Sequence, residues 1–141
     1  MSWAGKKSFK DSFRSLFKKK EQAPSVSVHT ISRLDKQVQD WVDGKGYRLP
    51  DKTISDTAKR LGTDGATLHR YFKQQRGIDF RSFRTKLRIE DAKAMLLAEP
   101  DTPAAVIGRR VGYSDRSNFT THFKNLTGLT PDTWRKKNSL S

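Results

Sequence analysis

The sequence predicts an all-α fold in which two helix-turn-helix subdomains are joined by a long central helix. Three observations predict it. The first is an internal repeat: with a shift of 50, Ala58-Lys59-Arg60-Leu61-Gly62 lies over Gly108-Arg109-Arg110-Val111-Gly112. Beyond the turn the shift becomes 51, and Asp64, Leu68, Phe72, Lys73, Gly77, Ile78, Phe83 and Arg84 fall on Asp115, Phe119, Phe123, Lys124, Gly128, Leu129, Trp134 and Arg135. The second is apolar spacing of three and four residues, with no convincing strand pattern. The third is punctuation: in each copy a Gly and then an Asp separate two helical stretches, as a tight turn and an N-cap would.

The elements follow in order. Ser32 is a candidate N-cap for a first helix that buries Leu34, Val38, Trp41 and Val42, with Gly44 and Gly46 ending it. Tyr47 to Lys52, with Pro50, reads as a loop. Thr53 or Ser55 opens the next helix, whose inner side holds Ile54, Ala58 and Leu61. Gly62-Thr63 turns the chain, Asp64 caps the following helix over Leu68 and Phe72, and Gly77 ends it. Phe80, Phe83, Leu87, Ala92, Met95 and Leu96 define one helix over 80–98, stopped by Glu99-Pro100. Thr102 as N-cap with Pro103 at the first helical position opens the second copy. Asp115 or Ser114 caps its second helix, and Thr130-Pro131 starts a short last helix containing Trp134. The expected boundaries are a basic, flexible segment and linker at 1–30 and a folded domain at 31–139. Within that domain the first helix-turn-helix covers about 53–77 and the second about 102–127.

Composition narrows the partners. The 141 residues carry 29 Lys and Arg against 15 Asp and Glu, a net charge of +14, with a mean hydropathy of −0.82. Residues 1–30 hold seven basic and two acidic side chains, which leaves 22 against 13 in the remainder, so the predicted domain is basic in its own right. Such an excess points to a polyanion, with nucleic acid ahead of an anionic membrane surface. Cysteine is absent, which removes disulfides, thiolate metal sites and thiol catalysis and agrees with a reducing, cytoplasmic setting. No apolar run approaches the ~18 residues of a membrane span.

Taken together, these residues carry a resemblance. The Leu61-Gly62 turn, Leu68 with Phe72-Lys73, Gly77, Arg88, Ala92, Leu96-Leu97, Ile107, Val111-Gly112-Tyr113, Phe119 with Phe123-Lys124, Gly128, Thr130-Pro131 and Arg135 resemble the DNA-binding domain of AraC/XylS-type transcription regulators over about residues 33–137. The resemblance implies about seven helices, sequence-specific double-stranded DNA binding at promoters and contact with RNA polymerase. Two positions depart from the pattern: Gly108 stands where the family usually has Ala, and Ala104 replaces a bulky aliphatic. A helix-interior Gly costs up to about 1 kcal/mol, so a soft supporting helix is expected in the second unit.

By position in the motif, the base-contact candidates are Thr67, His69 and Arg70 on the first reader and Arg116, Ser117, Thr120 and Thr121 on the second. A guanidinium bonds both O6 and N7 of one guanine, so Arg70 and Arg116 carry the most sequence information. His69 and the hydroxyls bond a base edge or a phosphate, and Lys73 and Lys124 suit phosphates. Gly65 and Ala66 leave the start of the first reader nearly bare. The bland alternative for each polar residue is a solvated surface position.

Catalysis, metal and cofactor sites find no support. The three histidines, His29, His69 and His122, lack metal-ligand spacing, and no Gly-rich phosphate loop follows a strand. Asp64 and Asp115 occupy identical places before a helix, which reads as capping rather than as an acid/base pair. Phe72, Phe119, Phe123 and Trp134 have core spacing rather than that of a base-stacking platform. No small-molecule site is visible. In the N-terminal segment, Phe9, Phe13 and Phe17 share one helical face amid lysines, so residues 1–20 offer a second reading. There the chain would act at an anionic membrane surface or on a partner, for instance as the cytoplasmic end of a longer membrane-bound regulator. Non-specific nucleic-acid binding is the remaining alternative.

Overall fold

The computed structural model describes residues 26–51 and 53–139. The N-terminal aromatic and basic segment and Lys52 lie outside them. The described residues form seven α-helices: α1 (Val28–Asp43), α2 (Ile54–Arg60), α3 (Gly65–Tyr71), α4 (Phe80–Ala98), α5 (Ala104–Arg110), α6 (Arg116–Thr127) and α7 (Pro131–Asn138). No strand occurs among them, and no helix is long and apolar enough to cross a membrane.

Two separate cores are threaded on α4. The first packs Leu34, Val38 and Trp41 of α1 with Ala58, Leu61, Leu68, Tyr71 and Phe72, and receives Phe80, Phe83 and Leu87 from the first half of α4. The second packs Ile107, Val111, Tyr113, Phe119 and Phe123, and receives Ile89, Ala92 and Leu96 from the other half. The phenylalanines with core spacing are therefore core, and Trp134 closes the second cluster edge-on against Phe123 at 5.8 Å. A continuous helix of 19 residues is stiff over both cores, so each core holds its own reading unit at a set place along one rod.

Local chemistry fixes most element ends. Thr53 and Asp56 form a reciprocal capping box on α2, and Asp79 and Thr130 cap α4 and α7. α3 runs into a π turn (Phe72–Arg76) that ends at Gly77 with φ 67°, a left-handed conformation glycine adopts at little cost. Three expectations need correction. α1 starts at Val28, not near Ser32, because the Ser27 hydroxyl accepts from the Thr30 amide and Ile31 packs on the first core. The interval read as linker to Thr30 thus contains a helical turn. Thr102 does not cap α5: its hydroxyl donates to Glu99, and Pro103, with ψ 140°, stands at the N-cap itself. Tyr47 is no bystander in a loop. It is buried in a short 3-10 turn (Gly46–Arg48), and its hydroxyl donates to Asp91 at 3.0 Å.

That turn meets the second unit at one buried cation. The Arg88 guanidinium donates to the carbonyls of Tyr47 (2.6 Å) and Leu49 (2.8 Å) and lies 5.3 Å from the Tyr113 ring centre. Burial, then the charge of Arg84, pushes its pKa down to about 10, so it still carries its charge near neutrality. Gly112, at φ 118°, presses on the same group; a Cβ there would lie 2.6 Å from Arg88 Nε and 2.7 Å from the Tyr47 carbonyl oxygen. At the far end of α4, Arg135 donates to the carbonyls of Leu96, Glu99 and Thr102, binding α7 to the turn before α5.

Candidate nucleic-acid interface

The candidate interface comprises the solvent faces of α3 and α6. Each helix presses one side inward, Leu68 and Tyr71 on α3 and Phe119 and Phe123 on α6, so helical periodicity turns the opposite side outward. Both begin at an aspartate. The Asp64 carboxylate accepts from the Thr67 amide at 2.8 Å, and the Asp115 carboxylate from the Ser117 amide at 2.8 Å. The bond from Thr67 holds the Asp64 carboxyl below the usual carboxylate range. The amides left free at such a helix start suit a phosphate.

On α3, His69 is exposed and Lys73 projects from the π turn. Thr67 is half-buried, and its hydroxyl donates to Asp64 at 3.1 Å, so its proton serves the cap and only its oxygen lone pairs remain for a ligand. Arg70 is half-buried, and its Nε is shut from solvent without an acceptor. An unpaired buried donor is costly, so the head of Arg70 is held here at some expense.

On α6, Arg116, Ser117, Thr121 and Lys124 are all exposed. Arg116 and the half-buried Thr120 share a depression of about 520 Å³ with Pro103 and Ala104 before α6 and Pro131 and Asp132 after it. The seven base-contact candidates thus fall in two sets on separate units, each steadied by its own core. Sequence reasoning passed over Asn118, which is exposed one residue after Ser117 and faces a second cleft of about 350 Å³ beside Asp115 and His122. Its signal was available, because a residue just before core Phe119 falls outside the buried stripe. An asparagine amide also pairs with N6 and N7 of adenine.

Electrostatics favour an anion at this surface. Two arginines that serve the fold are matched by carboxylates: Arg48 grips Asp91 at 2.7 and 3.0 Å, and Arg60 grips Asp51 at 3.1 and 3.0 Å. Burial alone would raise the Asp91 carboxyl; the bonds from Arg48 and Tyr47 outweigh it and hold the pKa below the usual value. Arg116, Lys73 and Lys124 make no ion pair with the described residues. Among those residues no cluster of His, Asp and Glu is arranged to hold a metal.

Two capped helices, each braced by the helix before it and both mounted on one rod, define a double helix-turn-helix DNA-binding module. Residues 57–137 match the model of a family described as a helix-turn-helix domain. The arabinose operon regulatory protein of Salmonella typhimurium is 34% identical over 104 residues, 72% of this chain and 37% of that protein. Its Escherichia coli counterpart is 31% identical over 122 residues, 85% of this chain and 41% of that protein. The chain therefore spans about two fifths of these relatives. Among solved structures, the C-terminal domain of AraT, a response regulator from Geobacillus stearothermophilus, superposes with a TM-score of 0.68 at 31% identity, covering 77% of this chain and 88% of that one. The C-terminal domain of the two-component response regulator yesN from Fusobacterium nucleatum gives 0.65 at 28% identity, covering 72% and 96%. The chain belongs to the AraC/XylS-type family of helix-turn-helix transcription regulators and contains its DNA-binding domain.

Proposed function

We propose that the domain reads an asymmetric operator by placing α3 and α6 in successive major-groove segments on one face of the duplex. The observation that carries this reading is the pair of unlike units on the two halves of α4. Nineteen residues at ~1.5 Å each span roughly 28 Å, near the ~34 Å pitch of B-DNA. Arg116 with Ser117, Thr120 and Thr121 reads one segment, and Arg70 with His69 and the acceptor atoms of Thr67 reads the other. Lys73 and Lys124 hold phosphates. Operator occupancy then regulates transcription in the cytoplasm through contact with RNA polymerase, as family membership suggests. Selection of bound duplexes from a random library tests the reading. The expected result is two dissimilar conserved blocks about one helical turn apart. A palindrome, a single block or no preference at fixed salt would overturn it.

A further inference from the structure

Between the two units lies a groove of about 680 Å³, walled by the first half of α4 and the last turns of α6. One wall carries Arg81, Arg84 and Lys86; the other carries His122 and Asn125, and no carboxylate lines the space. Arg81 and Lys86 are exposed and make no ion pair with the described residues, unlike Arg48, Arg60 and Arg110. Arg84 gives one bond to the Asp51 carbonyl, yet its Nε is shielded from solvent with no acceptor. Burial first, and then the charge of Arg81, makes Arg84 hold its proton less firmly than a free arginine, although Asp51 opposes the shift. The base-contact candidates of α3 and α6 do not line this groove, so base reading leaves it unused.

Its place identifies the anion. If the two readers sit in successive major-groove segments, the duplex between them presents the phosphates that border the intervening minor groove. A groove that lies between the two units would then face that stretch. We propose that Arg81 and Lys86, with Arg84 at the base and the Asn125 amide opposite, clamp the DNA backbone phosphates between the two reading sites. This third contact ties the sites into one footprint and sets the spacing between them. It rests on the two-reader function above but carries no base preference of its own.

The test is the double variant Arg81→Ala/Lys86→Ala, whose exposed side chains leave both cores intact, assayed on any duplex the domain binds. The expected result is a roughly tenfold or greater loss of affinity and a fall of about 2 in the slope of log K against log salt, since each neutralised phosphate contributes ~0.9. Base preferences stay as they were. Methylphosphonates at the bridging phosphates should weaken the parent protein similarly and the double variant no further. An unchanged salt slope, or equal methylphosphonate losses in both proteins, would overturn the clamp. So would saturation of the groove by inorganic phosphate at sub-millimolar concentration, followed by NMR, because that would make it a small-anion site. Loss of the dissimilar blocks in the selection experiment would strike the two-reader function instead, and the salt slope separates the two failures.

Discussion

The two helix-turn-helix units share a plan and differ in how they spend it. The first is heavily braced: a reciprocal capping box starts α2, Arg60 grips Asp51, and the Arg33 guanidinium reaches the Gly62 carbonyl at 3.3 Å. Its reader begins with Gly65 and Ala66, and one of its polar residues serves the cap. In the second unit α5 has no side-chain cap, but α6 runs as 12 regular residues with Arg116, Ser117, Asn118 and Thr121 exposed. The body of α5 is set by packing at Gly108. This glycine is buried, and the Phe119 ring occupies the space a side chain would take, 2.6 Å from an ideal Cβ. The glycine thus seats the reader on its support, and its helix-propensity cost comes with that packing. Both units carry an arginine–carboxylate brace, Arg60 with Asp51 and Arg110 with Glu99, so the difference lies in readout, and the second unit should contribute more of the specificity.

The junction between the units is where the comparison breaks most easily. Gly112→Ala places a methyl against a backbone oxygen and a buried guanidinium at a left-handed φ, and should cost roughly 3 kcal/mol or more in thermal unfolding. A loss under about 1 kcal/mol would show that the two cores are only loosely coupled. The next effect contrasts the two supports. Gly108→Ala should cost about 1–3 kcal/mol by displacing a fully buried ring. Gly65→Ala should be close to neutral, because the one short contact of its new methyl is the Ser55 hydroxyl oxygen at 2.9 Å, which can rotate away, while Ile54 Cγ2 at 3.4 Å is an ordinary contact. Comparable losses in denaturant melts would erase the contrast.

Readout divides the units next. Arg116→Ala should lose about 1–3 kcal/mol of discrimination at one base pair, whereas Lys124→Ala weakens cognate and scrambled duplexes alike. If Arg116→Ala also weakens both equally, its base-reading role is gone. The smallest effect is the pH response of the second unit. Burial, then Arg88 and Arg84, holds the His122 pKa below its usual 6.5, and the Tyr113 hydroxyl lies 2.8 Å from its Nδ1. The unfolded chain therefore takes up the proton first. Stability from His122 is intact above pH ~6.5 and is lost as pH falls from there through the depressed folded value. The drop in melting temperature between pH 7.5 and 5.5 should shrink in His122→Gln; an unchanged drop would remove His122 from the account.

What was legible in the sequence depended on local chemistry. Caps at Asp64, Asp115 and Thr130, the Gly77 stop and the apolar register of α4 are each decided within a few residues, and the repeat exposed their common plan. What was missed depended on distant partners. Arg88 and Tyr47 are 41 residues apart, so nothing near either one marks a buried cation or a core tyrosine. Thr102 looked like a cap until Glu99, on the preceding turn, took its hydroxyl. Asn118 was passed over because motif position favoured its neighbours, although the helix faces outward there. The reading residues remain a proposal resting on exposure, capping and charge.

The seating of Gly112 against Arg88 and the Tyr47 carbonyl bears on how such regulators can be recombined. A chimera that exchanges only one reading unit between two relatives keeps its junction only if the donor turn also brings a glycine to that position. Grafts cut between Glu99 and Pro103 must respect Gly112, a residue well downstream of the cut. Domain shuffling in this family is thus constrained at a seam, and engineered hybrids should be screened there before their readers are altered.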